Sequence, residues 1–477
     1  MGAERHKTEV ELVEVAASTP DPHDRAPGQT HRVRWTGVAL LVVIAVLASS
    51  VVLDGLAERR HRESLAFLVA SGVALADVGP GLGPRWRVEH PQPDEAWIDD
   101  GVLVTVAQVR GSQVVQGRDL ETGAELWRST FASRLGTSRC TGRLGDAGEP
   151  LGGDEGDEPM LVCALRANPR LLGTDEGGTD LHVRSARTGQ VLAERRDDAA
   201  LAGARIVGPD LLAVWADDGE LEVRREDART GAVRWRLALA THDPVLASVW
   251  IEIDAVAGLL LVGTPREVFA VDPAGFVVFS HNVPPPRQPM RLAVRPVGDE
   301  LFAVWQRRGR AWLPADLRGA DGRVVLAGVG SPRAIAADDG SLGELLLTRH
   351  PDGDIVWDLG TRTKLWLARG EGRAAVVVGG LVVLETDAGL EGVDPRRRAP
   401  LWRTPDAEQV LGSTTTGEVV ATVPGETLSL VGIDPATGSE LWRAVTRLRE
   451  PVRATVVDGA LLAVQPRALS LLAVPDG

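Results

Sequence analysis

The sequence predicts an all-β fold, a β-propeller, and three observations carry that reading. The first is a recurring word. Asp119, Thr122, Gly123 and Trp127 stand in G-R-D-L-E-T-G-A-E-L-W, and Asp227, Thr230, Gly231 and Trp235 stand with the same spacing in R-E-D-A-R-T-G-A-V-R-W. Asp434, Thr437, Gly438 and Trp442 repeat it in L-V-G-I-D-P-A-T-G-S-E-L-W. The second is a series of short strand-like words, such as G-V-L-V-T-V-A-Q, D-L-L-A-V-W-A and G-L-V-V-L-E-T, separated by Gly, Pro and Asp breaks. The third is the period: 41 residues from Trp86 to Trp127, 36 from Trp366 to Trp402 and 40 from Trp402 to Trp442. A repeat of that length has room for about four strands, which is one propeller blade.

Each residue type in the word has a physical task. Gly supplies the positive φ of a tight turn. Asp and Thr side chains hydrogen-bond nearby backbone and hold that turn. Trp offers a broad flat surface that can fill the gap between neighbouring sheets. Weaker copies are Ser185 with Thr188 and Gly189, Asp272 with Gly275 closing on Phe279, Asp358 with Thr361 closing on Trp366, and Asp394 closing on Trp402. A degenerate copy surrounds Asp321 and Gly322.

Taken in order, residues 1–34 mix charge with scattered Pro and Gly, as expected of a flexible cytoplasmic tail. Residues 35–53, from Trp35 to Leu53, carry no charge, and at about 1.5 Å per residue they just span a bilayer's hydrocarbon. The tail ahead of this stretch and its length favour an uncleaved anchor over a signal peptide. Arginines flank both ends (Arg32 and Arg34, then Arg59, Arg60 and Arg62), so charge gives little help with orientation. The expectation is a single-pass protein of the cell membrane, with a cytoplasmic N-terminus and an extracytoplasmic propeller. Residues 54–81 hold an apolar core too short for a second span and read as a membrane-proximal linker or helix packing on the repeat domain, which is residues 82–477. The last residues, L-S-L-L-A-V-P-D-G, are a repeat word cut off before its Trp, and Pro84-Arg85-Trp86 supplies a Trp without the preceding turn. One completes the other, so the ring is expected to close through a blade built from both ends, which removes exposed sheet edges.

Composition agrees with a folded chain: 44% of the 477 residues are hydrophobic and 25% charged. Thirteen Trp against six Phe and no Tyr is unusual, and six of the Trp end repeat words or their equivalents. Of 52 basic residues only Lys7 and Lys364 are lysines, a bias of GC-rich coding. The net charge of −14 argues against nucleic acid as a partner.

The words D-L-E-T-G-A-E-L-W and D-P-A-T-G-S-E-L-W resemble the tryptophan-docking repeat of the quinoprotein alcohol dehydrogenase-like propellers, the PQQ-like repeats, over essentially residues 82–477. With this composition the resemblance is to a bacterial, actinobacterial-type member. It implies eight blades, whereas nine candidate units can be counted, with 281–326 the most eroded; eight is the expectation. The repeat specifies a fold but hosts several unrelated functions.

Three function classes compete. In the dehydrogenases, the resemblance implies pyrroloquinoline quinone (PQQ) and Ca²⁺ in the central funnel, a vicinal disulfide, a Trp floor, carboxylate and amide metal ligands and a catalytic Asp. This chain has no Cys-Cys pair and only two Asn, Asn168 and Asn282. A second class is a scaffold, as in the propeller lipoprotein of the outer-membrane barrel-assembly complex, which binds proteins without a cofactor. A third is a sensor propeller, although 34 tail residues leave no room for a kinase. The reading is a scaffold that binds a protein partner or ligand, with no catalytic residues, no cofactor and no metal. The repeat Asp and Trp residues are structural on this reading, because they recur in every blade instead of converging once.

Local constellations add two features. Cys140 and Cys163 flank a loop and, in an extracytoplasmic domain, suggest a disulfide, the alternative being two buried thiols. Between them Asp154, Glu155, Asp157 and Glu158 share a turn-rich loop whose spacing matches no EF-hand register, so a solvated acidic insertion is expected. Neither His242 nor His350 has an H-x-x-x-H partner, and no G-x-S-x-G or P-loop occurs.

Overall fold

A computed structural model describes residues 74–474, apart from connections such as 143–157, 168–177 and 240–248 and some shorter ones, together with Arg59, Leu65 and Leu68. The chain divides into two compact units, Met1–Arg59 and Arg60–Gly477, and the sheets lie in the second. The apolar stretch 35–53 lies outside the described residues. Among those described, no helix is long and apolar enough to cross a membrane.

The described strands form nine sheets, and each is a blade. Blade 1 consists of Glu95–Asp99, Val102–Val109, Ser112–Asp119 and Glu125–Ala132, hydrogen-bonded in that order as an antiparallel meander. Blades 2 to 8 follow over 136–197, 200–239, 250–282, 290–326, 331–368, 375–404 and 409–449. Blade 9 takes three strands from 453–473, and its fourth is Gly83–Glu89 from the other end of the repeat domain. There Trp86 pairs with Leu471, so the ring closes by main-chain pairing between its two ends.

Nine apolar clusters hold the blades together, and each joins two successive blades. Leu103 of blade 1 meets Leu462, Leu469 and Leu471 of blade 9, and Leu461 and Leu472 of blade 9 meet Leu430 and Trp442 of blade 8. Each sheet therefore buries both faces, as the near-continuous burial of strands such as Val102–Val109 and Ala375–Val378 shows.

The expectation of eight blades is corrected to nine. The eroded segment 281–326 contains a complete sheet of Met290–Pro296, Leu301–Arg308, Asp316–Gly319 and Val324–Leu326, with Ala311–Trp312 as an extra strand. It lacks a closing Trp, since Leu326 pairs with Leu317 where blades 1, 3, 6, 7, 8 and 9 have the indole. Other contacts replace docking: Phe279 of blade 4 stacks on Phe302 at 4.3 Å, and Trp357 of blade 6 donates to the Val329 carbonyl at 3.0 Å.

First strands touch one another between blades 2 and 3, 3 and 4, 7 and 8, 8 and 9, and 9 and 1, which places first strands around the axis. Two blades carry an additional parallel strand on that inner edge. Ile335–Asp338 adds to Ala375–Val378 of blade 7, and Ala74–Leu75 adds to Gln409–Thr414 of blade 8. Leu68, fully buried, joins Ala74, Ala337 and Val376 in one cluster there. These segments pair inner-edge groups that would otherwise be open.

Candidate interaction face

The repeat word forms the turn between the third and fourth strands of a blade, and its side chains are occupied in holding that turn. Asp119 Oδ1 accepts from the Thr122 amide and hydroxyl, both at 2.7 Å, and Thr122 Oγ1 accepts from Ala124 N at 3.3 Å. The same bonds recur at Asp227 and Thr230, at 2.7 and 2.8 Å, and the Asp434 carboxylate accepts from Ala436 N at 2.9 Å and the Thr437 hydroxyl at 2.8 Å. The Gly123, Gly231 and Gly438 amides each donate back to the carbonyl of the Asp that opens the turn. The Thr122 hydroxyl, followed by its amide, holds the Asp119 carboxyl below the usual range. Partial burial works to raise Asp227, but donors on Thr230 and Arg229 outweigh it and the net shift is downward.

One residue before each Trp position the pairing slips by one: Gly117 faces Trp127 while Arg118 faces Glu125, leaving Leu126 as a bulge. The same slip leaves Leu401 and Leu441 unpaired, and it precedes Trp86 in the closing blade. A bulge bends and twists its strand, and here it carries the Trp toward the next blade. Trp402 then donates to the Pro435 carbonyl of blade 8 at 2.7 Å and lies against Gly438, where a Cβ would come within 2.5 Å of the ring. Gly438 is thus required twice, by its φ of 72° and by the indole. Trp86 on Leu120 O at 2.8 Å and Trp127 on Ala186 O at 2.9 Å dock in the same way.

Docking varies where the sequence varies. Trp442 meets no such turn, because blade 9 has two chain segments in its place, and donates instead to Glu418 Oε2 at 2.8 Å. Blade 2 has Ala193 at the Trp position, and Arg195 fills the space against Gly231 while pairing with the buried Glu226. Trp235 faces Arg225 instead of a Gly, so it cannot sink between the strands and stays partly exposed. It still donates to the Pro273 carbonyl at 3.1 Å.

That incomplete seat leaves a shallow crevice between blades 3 and 4, walled by Val207, Leu212, Leu260 and Val271 beside Trp235 and Arg225. The adjoining turn presents Phe276, 69% exposed, and Val277. Turns of this type, with those joining first and second strands, share one face of the ring because strand direction alternates across each sheet. The crevice and Phe276 are the candidate site for a partner. The sequence reading missed both. The signal was the Arg225 opposite Trp235, legible only with the bulge register in hand.

The remaining sequence candidates do not converge. Cys140 and Cys163 lie directly opposite each other on the first two strands of blade 2, both buried, and are joined by a disulfide. Glu158 pairs with Arg229 at 3.3 Å, whereas Asp154, Glu155 and Asp157 lie outside the described residues. His350 is on blade 6, far in the chain from the other candidates, and His242 is outside the described residues. Among the described residues no group of three or more His, Cys, Asp or Glu could hold a metal ion. The cysteines stand on facing strands, so they do not form the vicinal disulfide that the resemblance implies for a quinone site, and the inner edges of two blades carry an added strand of the chain.

Solved structures similar to this chain include the computationally designed Ika8 protein, at 14% identity and TM-score 0.40, covering 83% of this chain and 100% of that one. Saccharomyces cerevisiae Sqt1 matches at 9% identity and TM-score 0.40, over 78% of this chain and 100% of that one. Dihydro-heme d1 dehydrogenase NirN in complex with DHE matches at 14% identity and TM-score 0.37, over 75% and 77%. No curated protein matches the chain. The family model described as outer membrane protein assembly factor BamB matches residues 110–342 and 342–474. With well over half its length matched, and with the docked turns above, this chain belongs to that family of PQQ-like propeller proteins.

Proposed function

We propose that this protein is a membrane-anchored, extracytoplasmic scaffold that binds a protein partner through its turn face and carries no catalysis or cofactor of its own. The observation that carries the reading is the exposed Phe276 beside the apolar crevice, on a face where the repeat's own Asp, Thr and Gly groups are satisfied internally. Aromatic anchors beside a pocket are the usual centre of a protein interface. Membership of a family described by an assembly factor supports binding over catalysis. The uncharged stretch 35–53 supports the anchor, and the Cys140–Cys163 disulfide supports an oxidising compartment.

Two measurements test this. A photo-crosslinker at Phe276 in cells should give a discrete protein adduct, and one at Val445, exposed on the outer strand of blade 8, should not. Absence of any adduct at Phe276 would remove the scaffold reading. Titration of the full chain in neutral detergent with pyrroloquinoline quinone and Ca²⁺ should leave Trp fluorescence unchanged; saturable quenching would establish a quinoprotein instead.

A further inference from the structure

Eight blades carry a turn between their third and fourth strands. In six of them the left-handed position is Gly, at residues 123, 189, 231, 275, 322 and 438. In the two others, the neighbouring blades 6 and 7, it is Arg: Arg362 at φ 56° and Arg398 at φ 59°. A left-handed conformation is strained for any residue with a Cβ, and here the repeat shows what relieves it. Arg396 and Arg397 lie in the second of these turns and Lys364 at the start of the strand that follows the first, all exposed like Arg362 and Arg398. Among the described residues Arg362, Lys364, Arg396 and Arg398 have no acidic partner, and Arg397 pairs with Asp394 at 3.2 Å. Asp358 and Asp394 turn their carboxylates onto turn amides, at 2.9 Å to Thr361 N and 2.9 Å to Arg396 N. Nearer the axis, Asp338 and Asp339 likewise accept from backbone amides. Five exposed cations thus lie on the corresponding connections of two neighbouring blades, in a chain whose net charge is −14.

We propose that Arg362, Lys364, Arg396, Arg397 and Arg398 form a docking strip for an acidic polypeptide segment, resting on the reading of this chain as a protein-binding scaffold. The cations are spread over the corresponding connections of two neighbouring blades instead of converging on one point. That layout suits carboxylates spaced along an extended chain better than a single phosphate group. Retaining strained arginines where glycine fits best is the trade of stability for binding that marks a functional surface.

The test uses the full chain in neutral detergent, a fluorescein-labelled octaglutamate peptide and the double variant Arg362→Gly/Arg398→Gly. The substitutions restore the repeat's own residue, so folding is not at risk. The peptide should bind the native chain and bind the variant about tenfold more weakly, while the variant's unfolding midpoint rises by about 1–2 °C. A purely structural role would move the midpoint down. Equal peptide binding by the two proteins, a lowered midpoint in the variant, or binding of inorganic polyphosphate but not octaglutamate by the native chain would each overturn the strip. Unchanged peptide binding with a partner still crosslinked at Phe276 leaves the scaffold reading standing; peptide binding lost in the variant with no crosslinked partner has the opposite meaning.

Discussion

Arg195 fills the space that an indole from the preceding blade occupies at Gly189 and Gly438, because Ala193 stands at the Trp position of its own blade. Its guanidinium lies against Gly231 and pairs with Glu226, which is only 1% exposed. The neighbouring residue types have adapted. In blades 1, 2 and 5 the residue before the turn is Arg118, Arg184 or Arg318, which donates to the carbonyl of the turn's Gly. In blade 3 that position is the acidic Glu226, complementary to the incoming arginine. Removing Arg195 leaves a buried carboxylate without its cation, so Arg195→Ala should cost about 2–3 kcal/mol in chemical denaturation. Arg195→Ala/Glu226→Gln should recover part of that loss. Equal destabilisation by the single and double variants would mean that the contact is packing alone.

At the scale of the turn and the strand, pH separates two kinds of carboxylate. Asp119, Asp227 and Asp358 have folded pKa values below the unfolded value of about 3.9. Their contribution is therefore present above about pH 4 and lost as pH falls through the folded values. Asp354 is the opposite case. Burial pushes it up to about 6, although Arg333 at 2.8 Å and Arg349 oppose the shift. Its contribution is present below about pH 4 and is lost as pH rises through 6, by about 3 kcal/mol at most. The unfolding midpoint should fall below pH 4 through the turns, and Asp354→Asn should flatten the decline between pH 4 and 6. A variant with the native pH profile would assign that decline elsewhere.

For the whole molecule, stability is a property of closure. Each blade buries two faces against neighbours, and nearest-neighbour coupling makes a ring more stable than the same blades in a row. Blade 9 joins the two ends of that row through Ala468–Ala473 and Gly83–Glu89. A chain ending at Gln465 loses the first of these strands and with it Leu469, Leu471 and Leu472, which pack toward blades 1 and 8. Its amides should exchange faster in blades 1 and 8 than in blade 4, and the thermal transition should broaden and move down. Uniform exchange across the blades would show that closure contributes no cooperativity.

The local turn could be read from the residues. Asp119, Thr122 and Gly123 lie within five positions, and the bonds among them form from backbone geometry and short side chains alone. Closure was legible for a similar reason, because Trp86 and the truncated last repeat are recognisable halves of one word. Blade count was not, since the blade at 290–326 is held by Phe279 on Phe302 and by Trp357 on Val329, contacts that belong to neighbouring blades. Nor were the inner strands at Ala74–Leu75 and Ile335–Asp338, whose pairing partners are remote in sequence. The crevice at Trp235 depends on the bulge register that sets Arg225 opposite it, and the left-handed turn positions of Arg362 and Arg398 on the backbone of the blades that hold them. The sequence by itself determined the turn, the strand period and the way the ring closes, because those interactions span a few residues or repeat identically. Only the tertiary structure decided the number of blades, the strands added to two inner edges and the exposed groups left for a partner, because these follow from how unlike blades stack.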